Sequence, residues 1–327
     1  MAPPERDIDL LVVGEINPDI VIADSDPVPV FSEVERIVDS IRMTVGSSSA
    51  IVACGAARLE LRVAFVGVVG DDPFGRFMLD AMAERGIDVS ACTVDPSRPT
   101  GATVILTSGR DRAGLTAMGT IGAFDVDAVP PSLLDRARHL HSGGYFMQET
   151  SRNRLPGLFA TARAHGLTTS FDTNWDPTEE WDGGVLDMLR AADIFFPNEA
   201  EACRIAGIDD AEEAARALAA SGSAGRDDGG PLVVLKRGAL GALACRAGEP
   251  LVRTAAMPVE PIDTTGAGDS FNAGFLRAWL DGQGVQESLE FAAACGALST
   301  AQVGGVDGQA TLGEARAALA SWQTSRP

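Results

Sequence analysis

Short runs of apolar, β-branched residues alternate along this chain with longer, Ala-rich segments of helical periodicity. The apolar runs lie at residues 10–13, 63–68, 140–142, 169–171, 194–196 and 232–235. The helical segments lie at residues 50–59, 74–85, 155–165, 185–191, 199–206, 211–220, 269–280, 285–302 and 312–322. Alternation of this kind is typical of βαβ units. The sequence therefore predicts an α/β fold with a central, mostly parallel β-sheet.

Two segments do not follow this alternation. Residues 20–45 and 100–118 contain short strand-like runs separated by turn residues. We expect the two segments to pair as a small, separate sheet. The chain has 327 residues, of which 45% are hydrophobic, so it can bury a large core.

The chain is strongly acidic, with a formal net charge of -20 and no Lys/Arg-rich run. Nucleic acids and anionic membranes are therefore poor candidates as partners. The five cysteines form no C-x-x-C pair, and three histidines are too few for a typical zinc cluster. No segment has the pattern of a signal peptide or a membrane span, so we expect a cytoplasmic protein. Any phosphate site on such a chain must draw positive potential from backbone N–H groups or a metal ion.

The segment PIDTTGAGDSFNAGFLRAWL, residues 261–280, predicts a Thr/Gly-rich turn that leads directly into a helix. The N–H groups of Gly266, Ala267 and Gly268 can converge on one anion, and the helix dipole adds to their effect. Asp269 at the helix start is, taken alone, an ordinary capping carboxylate. Beside a transferring phosphoryl group, the same carboxylate can take the proton from an attacking hydroxyl. The chain has neither a G-x-x-x-x-G-K-[ST] loop nor the third glycine of a dinucleotide-binding fingerprint.

The stretch DTTGAGDSFNAGF at 263–275 resembles the C-terminal signature of the ribokinase-like (PfkB) carbohydrate kinases. Four further motifs of that family occur in order: VVGEINPDI at 12–20, FVGVVGDDPFGRFM at 65–78, FPNEAEACRIAG at 196–207 and VVLKRGALGA at 233–242. The resemblance implies one ribokinase-like domain over residues 1–327, with helices around the central sheet. The segments near 20–45 and 100–118 would then form a β-sheet lid. It also implies an ATP-dependent sugar kinase that uses Mg²⁺, with K⁺ as an optional activator, and a homodimer formed through the lid.

The resemblance also assigns roles to individual residues. It implies that Asp269 is the general base and that Gly266, Ala267 and Gly268 stabilise the phosphoryl group in transfer. The candidate substrate-binding residues are Asp19, Gly46, Ser47, Ser48 and Asn174. The candidate nucleotide-binding residues are Asn198, Lys236, Gly238, Thr264, Gly268 and Ala297. Asn198 and Glu201 are candidates for Mg²⁺ through water, and Asp263 for K⁺.

Each of these side chains also has an ordinary structural interpretation. Asp19 can be a solvated loop residue, and Lys236 can simply reach solvent. Asn198 with Glu201 can be a helix cap with a first-turn acid, an interpretation that is compatible with the metal role.

Two motifs depart from the family. Where the family commonly has G-G-x-x-x-N-x-A, this chain has GSSSAIVA from Gly46, with Ser47 at the second glycine and Ile51 at the asparagine. The lost carboxamide argues against ribose as the substrate, although Ser47 and Ser48 supply other polar groups. In DTNWDPTEEW, Asp176 stands where related kinases have an arginine. Because a carboxylate cannot pair with a sugar acid or sugar phosphate, the sequence predicts a neutral sugar or polyol.

Two other functions stay open. An adenosine-type nucleoside kinase needs an aromatic slot for the base, which the Tyr-Phe-Met run at 145–147 could provide, although the lid segments hold few aromatics beyond Phe31. A non-catalytic sugar-binding sensor would be expected to lose the base or the glycines. Asp269, Gly266 and Gly268 are all retained.

Overall fold

The computed structural model describes residues 6–29, 31, 35–108 and 111–325. Its strands are β1 Ile8–Val13, β2 Pro18–Ala23, β3 Ser40–Val45, β4 Val63–Val66, β5 Val68–Gly70, β6 Thr93–Asp95, β7 Ala102–Ser108, β8 Asp111–Ala117, β9 Ala137–Ser142, β10 Thr168–Phe171, β11 Ile194–Phe195, β12 Leu232–Lys236, β13 Ala242–Cys245 and β14 Val252–Thr254. Its α-helices are α1 Ser48–Arg58, α2 Pro73–Ala83, α3 Pro131–Arg136, α4 Leu155–Ala164, α5 Val185–Ala191, α6 Glu199–Ala206, α7 Ala211–Ser223, α8 Ala267–Leu280, α9 Val285–Ser299 and α10 Leu312–Ser325.

The central sheet has eight strands in the order β14-β13-β12-β11-β10-β9-β1-β4. The strands from β4 to β12 in this order pair in parallel, whereas β13 and β14 are antiparallel. All six residues of β1 are buried. Leu10 and Val12 belong to one hydrophobic core and Leu11 and Val13 to another, because successive side chains of a strand point to opposite faces. The predicted α/β class and six central strands are confirmed, but the run 63–68 divides at Gly67 into β4 and β5, and β5 pairs with β6 in a separate two-stranded sheet.

The second sheet is small and has the order β3-β2-β7-β8. Strand β2 pairs antiparallel with β3 and parallel with β7, and β7 pairs antiparallel with β8. The two segments that break the strand–helix alternation therefore do pair with each other. Within these segments, residues 30, 32–34, 109 and 110 lie outside the described residues.

Some elements were not predicted from the sequence. Strand β13 has the sequence ALAC and β14 only VRT, so neither shows the β-branched run that marks the central strands. Both form an antiparallel edge after β12, where no helical crossover is needed. The predicted helix 285–302 ends earlier, at Ser299, because Thr300 turns back to bond the Ala297 carbonyl.

The fold brings the candidate residues to one edge of the central sheet. The carboxyl ends of parallel strands meet at a common edge, which is where open α/β sheets place their ligands. Helices α1 and α8 both begin at this edge and pack against each other. No helix within the described residues combines the length and apolar character needed to cross a bilayer.

Candidate active site

A cleft of about 1110 Å³ lies between the small sheet and the carboxyl edge of the central sheet. Asp19 of β2 and Thr103 and Ile105 of β7 line one wall. The start of α8, with Gly266 and Asp269, lines the opposite wall. The cleft therefore brings the predicted substrate residues and the predicted phosphate turn together.

The turn before α8 has the geometry of an anion site. Gly266 has φ 69, and a Cβ there would lie 2.6 Å from the Gly305 carbonyl oxygen, so only glycine fits. The Ala267 N–H donates to the Thr264 carbonyl at 3.2 Å and is thus engaged within the turn. The amides of Gly268 and Asp269 follow in the first turn of α8, where amides have no acceptor inside the helix. Of the three amides named from the sequence, that of Ala267 is therefore engaged within the turn, and the Asp269 amide joins that of Gly268 at the start of the helix.

Asp269 is held at the cleft by a serine. The Ser48 hydroxyl at the start of α1 donates to Asp269 Oδ1 at 2.5 Å. Burial, followed by the negative charge of Asp172, raises the pKa of Asp269 to about 7. A carboxylate with a pKa near neutrality is suited to accept a proton at physiological pH.

Asp172 and Lys236 form a buried ion pair behind Asp269. Lys236 Nζ lies 2.5 Å from Asp172 Oδ2, which also accepts from Asn272 Nδ2 at 2.7 Å. The side chain of Asp172 is 1% exposed and that of Lys236 14%. Burial disfavours the ammonium, but the charges of Asp172 and Glu201 raise the pKa of Lys236 above its ordinary value.

Lys236 therefore stays cationic beside the anion turn. A Cβ placed on Gly268 would lie 3.5 Å from Lys236 Nζ. The sequence placed Lys236 near the nucleotide but did not identify its partner Asp172. The only sign of this partner in the sequence was that Asp172 is a charged residue directly after a buried strand.

Asn198 and Glu201 form a capping box at the start of α6. The Glu201 amide donates to Asn198 Oδ1 at 2.9 Å, and Glu201 accepts from the Asn198 backbone N–H at 2.9 Å and from its Nδ2 at 2.7 Å. Burial and the charge of Asp172 raise the pKa of Glu201 to about 7. Both residues also line the cleft. Asn198 and Glu201 therefore cap the helix and line the cleft at the same time.

The donor set fits a hydrated metal better than a directly ligated one. Among the described residues, no three His, Cys, Asp or Glu side chains group closely enough to hold a metal ion. Mg²⁺ keeps several of its waters, so the oxygens of Asn198 and Glu201 can reach it through that shell. Asp263 does not line the cleft, and its carboxylate accepts from the amides of Thr265 at 2.9 Å and Gly304 at 2.8 Å.

At the substrate end, Asp19, Ser47, Ser48 and Asn174 line the cleft. Gly46 does not line it, but its lack of a side chain is required, because a Cβ there would collide with the Asp19 carboxylate. Asp19 is 7% exposed and fixed in β2. At the nucleotide end, the cleft is lined by Gly238, Thr264 and Ala297 together with the apolar side chains of Met257, Pro258, Val259 and Phe271.

Asp176 does not stand where the sequence predicted it, and residues 145–147 do not line the cleft. Asp176 is 2% exposed and lies away from the cleft, where it accepts from the amides of Thr178 at 2.9 Å and Trp181 at 2.7 Å. It caps a turn and is not positioned to contact a substrate. Tyr145 and Phe146 are also buried, and the Tyr145 hydroxyl donates to the Gly183 carbonyl at 2.9 Å, so this run forms no base slot.

Trp175 is the aromatic residue that the cleft does present. Its side chain lines the cleft and is 48% exposed. The ring packs edge-on against Trp181, with centroids 4.8 Å apart. From the sequence alone, Trp175 can be a core residue or a pocket wall, and the core is the more common place for a single tryptophan.

A pfkB family carbohydrate kinase domain matches residues 7–311. The chain belongs to the pfkB family of carbohydrate kinases. A ribokinase of Haemophilus influenzae is 30% identical over 299 residues, which cover 90% of this chain and 93% of the relative. An ATP-dependent ribose-1-phosphate kinase of Halopiger xanaduensis is 28% identical, with the same shares covered. The crystal structure of a Vibrio cholerae fructokinase, with fructose, ADP and a calcium ion bound, is 25% identical with a TM-score of 0.80 and covers 96% of this chain and 100% of that chain.

These comparisons confirm the ribokinase-like fold and the family resemblance of the five motifs. Kinases of the pfkB family transfer phosphate to hydroxyl groups of sugars. The chain is therefore a phosphotransferase with an alcohol group as acceptor.

The buried ion pair makes a prediction about stability. Lys236→Met leaves the Asp172 carboxylate buried without its cation, so the free energy of unfolding should fall by about 3–5 kcal/mol. The double variant Lys236→Met/Asp172→Asn buries no unpaired charge at this pair and should recover most of that loss. Urea denaturation at pH 7.5 measures both values. Equal losses in the single and double variants would contradict the assigned pairing.

Proposed function

We propose that this protein transfers the γ-phosphoryl group of ATP to a hydroxyl of a neutral sugar or polyol, with Asp269 as the general base. The observation that carries the proposal is the position of the Asp269 carboxylate. It lies in the cleft, in the first turn of α8, next to the amides that can bind the phosphoryl group. A base and an anion site on one helical turn are what an attacking hydroxyl requires.

In this reaction, the substrate lies between the small sheet and the start of α8. Asp19 accepts hydrogen bonds from its hydroxyl groups, and Asn174 contacts it from the loop after β10. Asp269 takes the proton of the attacking hydroxyl as the new O–P bond forms and the bond to ADP breaks. The amides of Gly268 and Asp269 and the ammonium of Lys236 stabilise the negative charge on the phosphoryl oxygens.

The nucleotide would occupy the end of the cleft near Gly238, Thr264 and Ala297. Its base would contact the apolar side chains there, and its phosphates would point to α8. Asn198 and Glu201 would hold a hydrated Mg²⁺, which supplies charge neutralisation for the phosphates. Asp263 would support a K⁺ ion behind the turn through the negative charge of its carboxylate, which the amides of Thr265 and Gly304 hold in place.

The charges at the substrate end support a neutral substrate. Among the described residues that line the cleft, the basic side chains are Lys236 and Arg237. Lys236 ends strand β12 and Arg237 directly follows it, so neither lies at the small sheet. Arg237 is engaged with Glu199 at 2.6 Å. Asp19 is the charged residue at the substrate end, and it repels a carboxylate or phosphate. The charge of Asp19, and not that of Asp176, therefore favours a neutral substrate.

The direct test is ATP consumption by the purified protein with Mg²⁺ and K⁺, across neutral sugars, polyols, nucleosides, sugar acids and ribose 1-phosphate. We expect turnover on a neutral sugar or polyol. Asp269→Asn should lower kcat by roughly 10²- to 10⁴-fold while nucleotide affinity stays the same, because only the proton acceptor is lost. Turnover on ribose 1-phosphate alone would refute the neutral substrate. Tight sugar binding without turnover would indicate a non-catalytic sensor.

A nucleoside kinase is the second candidate, and Trp175 is the observation that favours it. A half-exposed indole in the cleft can stack on a nucleobase or on the apolar face of a sugar ring. Turnover on adenosine but on no free sugar in the same assay would decide for this candidate.

The binding of either substrate, a sugar or a nucleoside, should depend on the Trp175 ring. Trp175→Ala should raise KM roughly three- to tenfold with little change in kcat, because stacking holds the substrate before and during transfer. Trp175→Phe, which keeps a ring, should stay near the wild-type KM. Steady-state kinetics on the accepted substrate measure both variants, and an unchanged KM in Trp175→Ala would show that the indole does not touch the substrate.

We also propose a homodimer formed through the small sheet. Its edge strands β3 and β8 expose Ile41, Met43 and Leu115, with 66%, 40% and 65% of their surface accessible. A second copy that covers these edges would pair the free backbone N–H and C=O groups of the edge strands and remove the apolar side chains from water. Light scattering of the purified protein would report a single-chain mass if this proposal is wrong.

A further inference from the structure

Helix α1 begins with three serines, at the place where the chain departs from its family's pattern. The middle one, Ser48, donates to Asp269 Oδ1 at 2.5 Å, across 221 positions of sequence. Ser48 was predicted to contact the substrate, but its hydroxyl is directed at the proposed base. The inference below rests on the proposed function of Asp269.

The two flanking serines fix the start of α1. Ser47 has φ 64, donates to the Glu15 carbonyl at 2.6 Å and accepts from the Ala50 amide at 3.1 Å. Ser49 is fully buried, and its hydroxyl and amide bond the two oxygens of the Glu15 carboxylate at 2.8 and 3.2 Å. The Gly143 amide donates to Ser49 Oγ at 3.1 Å. Ser48 is therefore held between two anchored neighbours.

We propose that Ser48 is a positioning residue for Asp269. The Ser48 hydroxyl fixes Asp269 Oδ1 by its hydrogen bond, and Asp269 Oδ2 stays available to take the proton of the substrate. Within the described structure, Ser48 is the side chain that hydrogen-bonds the Asp269 carboxylate. A carboxylate with one oxygen held by a rigid donor has a fixed orientation, which is what proton transfer at a defined hydroxyl needs. Ser48 stands at a position that the family pattern leaves unspecified, directly after Ser47, which replaces the second glycine.

The same hydrogen bond acts on the charge of Asp269. The groups that face it are Glu15 after β1, Asp172 after β10, Glu201 on α6 and Lys236 at the end of β12. Burial and the nearby carboxylates raise the pKa of Asp269, whereas the Ser48 hydroxyl and Lys236 lower it. Without the Ser48 bond the pKa should rise further. Because a base acts only when deprotonated, the variant should need a higher pH to reach the same activity.

Ser48→Thr and Ser48→Val form a matched pair of nearly equal shape, in which only threonine keeps the hydroxyl. Asp269 can be titrated in the unliganded protein by ¹³C NMR of Asp-labelled samples, with its resonance assigned by its absence in Asp269→Asn. We expect Ser48→Val to raise the pKa of Asp269 by roughly 0.5–1 unit and Ser48→Thr to keep the wild-type value. Ser270→Ala controls for packing, because Ser270 neighbours Asp269 but its hydroxyl bonds Gln309.

The kinetic readout separates this inference from the proposed function. On an accepted substrate, the acid limb of kcat/KM should move to higher pH in Ser48→Val by the shift that NMR gives, and stay in place in Ser48→Thr. Ionisation of ATP is common to all variants and cancels in the comparison. If NMR shows the pKa shift in Ser48→Val but the wild-type protein turns over no substrate, the Ser48–Asp269 contact is supported and Asp269 as a base is refuted. Identical titrations of Ser48→Val and Ser48→Thr would overturn the inference.

Discussion

The ion pair between Lys236 and Asp172 joins the end of β12 to the loop after β10, and Asn272 ties the same carboxylate to α8. Three elements of the carboxyl edge thus meet at one buried charge pair. The chain carries a net charge of -20, and the cleft adds Glu201 and Asp269 close by. Lys236 is the cation that lets these acids and an incoming phosphate share a small volume. Without it, the uncompensated charges of Asp172 and the neighbouring acids would oppose the binding of a nucleotide phosphate.

The properties of Asp269 follow from this charge balance. Burial and the neighbouring acids raise its pKa to about 7, and Lys236 and Ser48 limit the rise. A base with an ordinary carboxyl pKa would draw the proton from a hydroxyl less readily, and one with a much higher pKa would be protonated in the cell. The rigid turn at Gly266 then places this carboxylate beside the helix amides. The neighbouring charges thus set the pKa of the Asp269 carboxylate, and the backbone turn sets its position.

The fold was predictable from the sequence because its signals are local. Apolar runs marked the six parallel strands, and the Thr/Gly-rich turn marked the start of α8. The Lys236–Asp172 and Ser48–Asp269 contacts were not predictable, since their partners lie 64 and 221 positions apart and no pattern in one segment names the other. Asp176 was misplaced for a different reason. Its direction is decided by a tight turn with Thr178 and Trp181, which motif alignment does not show.

A crystal structure with a non-hydrolysable ATP analogue, Mg²⁺ and the accepted acceptor substrate would test the central claim most directly. The account predicts the terminal phosphate at the amides of Gly268 and Asp269 and near Lys236 Nζ. It also predicts the acceptor hydroxyl within hydrogen-bond reach of Asp269 Oδ2, roughly 2.6–3.2 Å. A terminal phosphate bound away from the start of α8, or an acceptor hydroxyl directed at a different side chain in this complex, would contradict it.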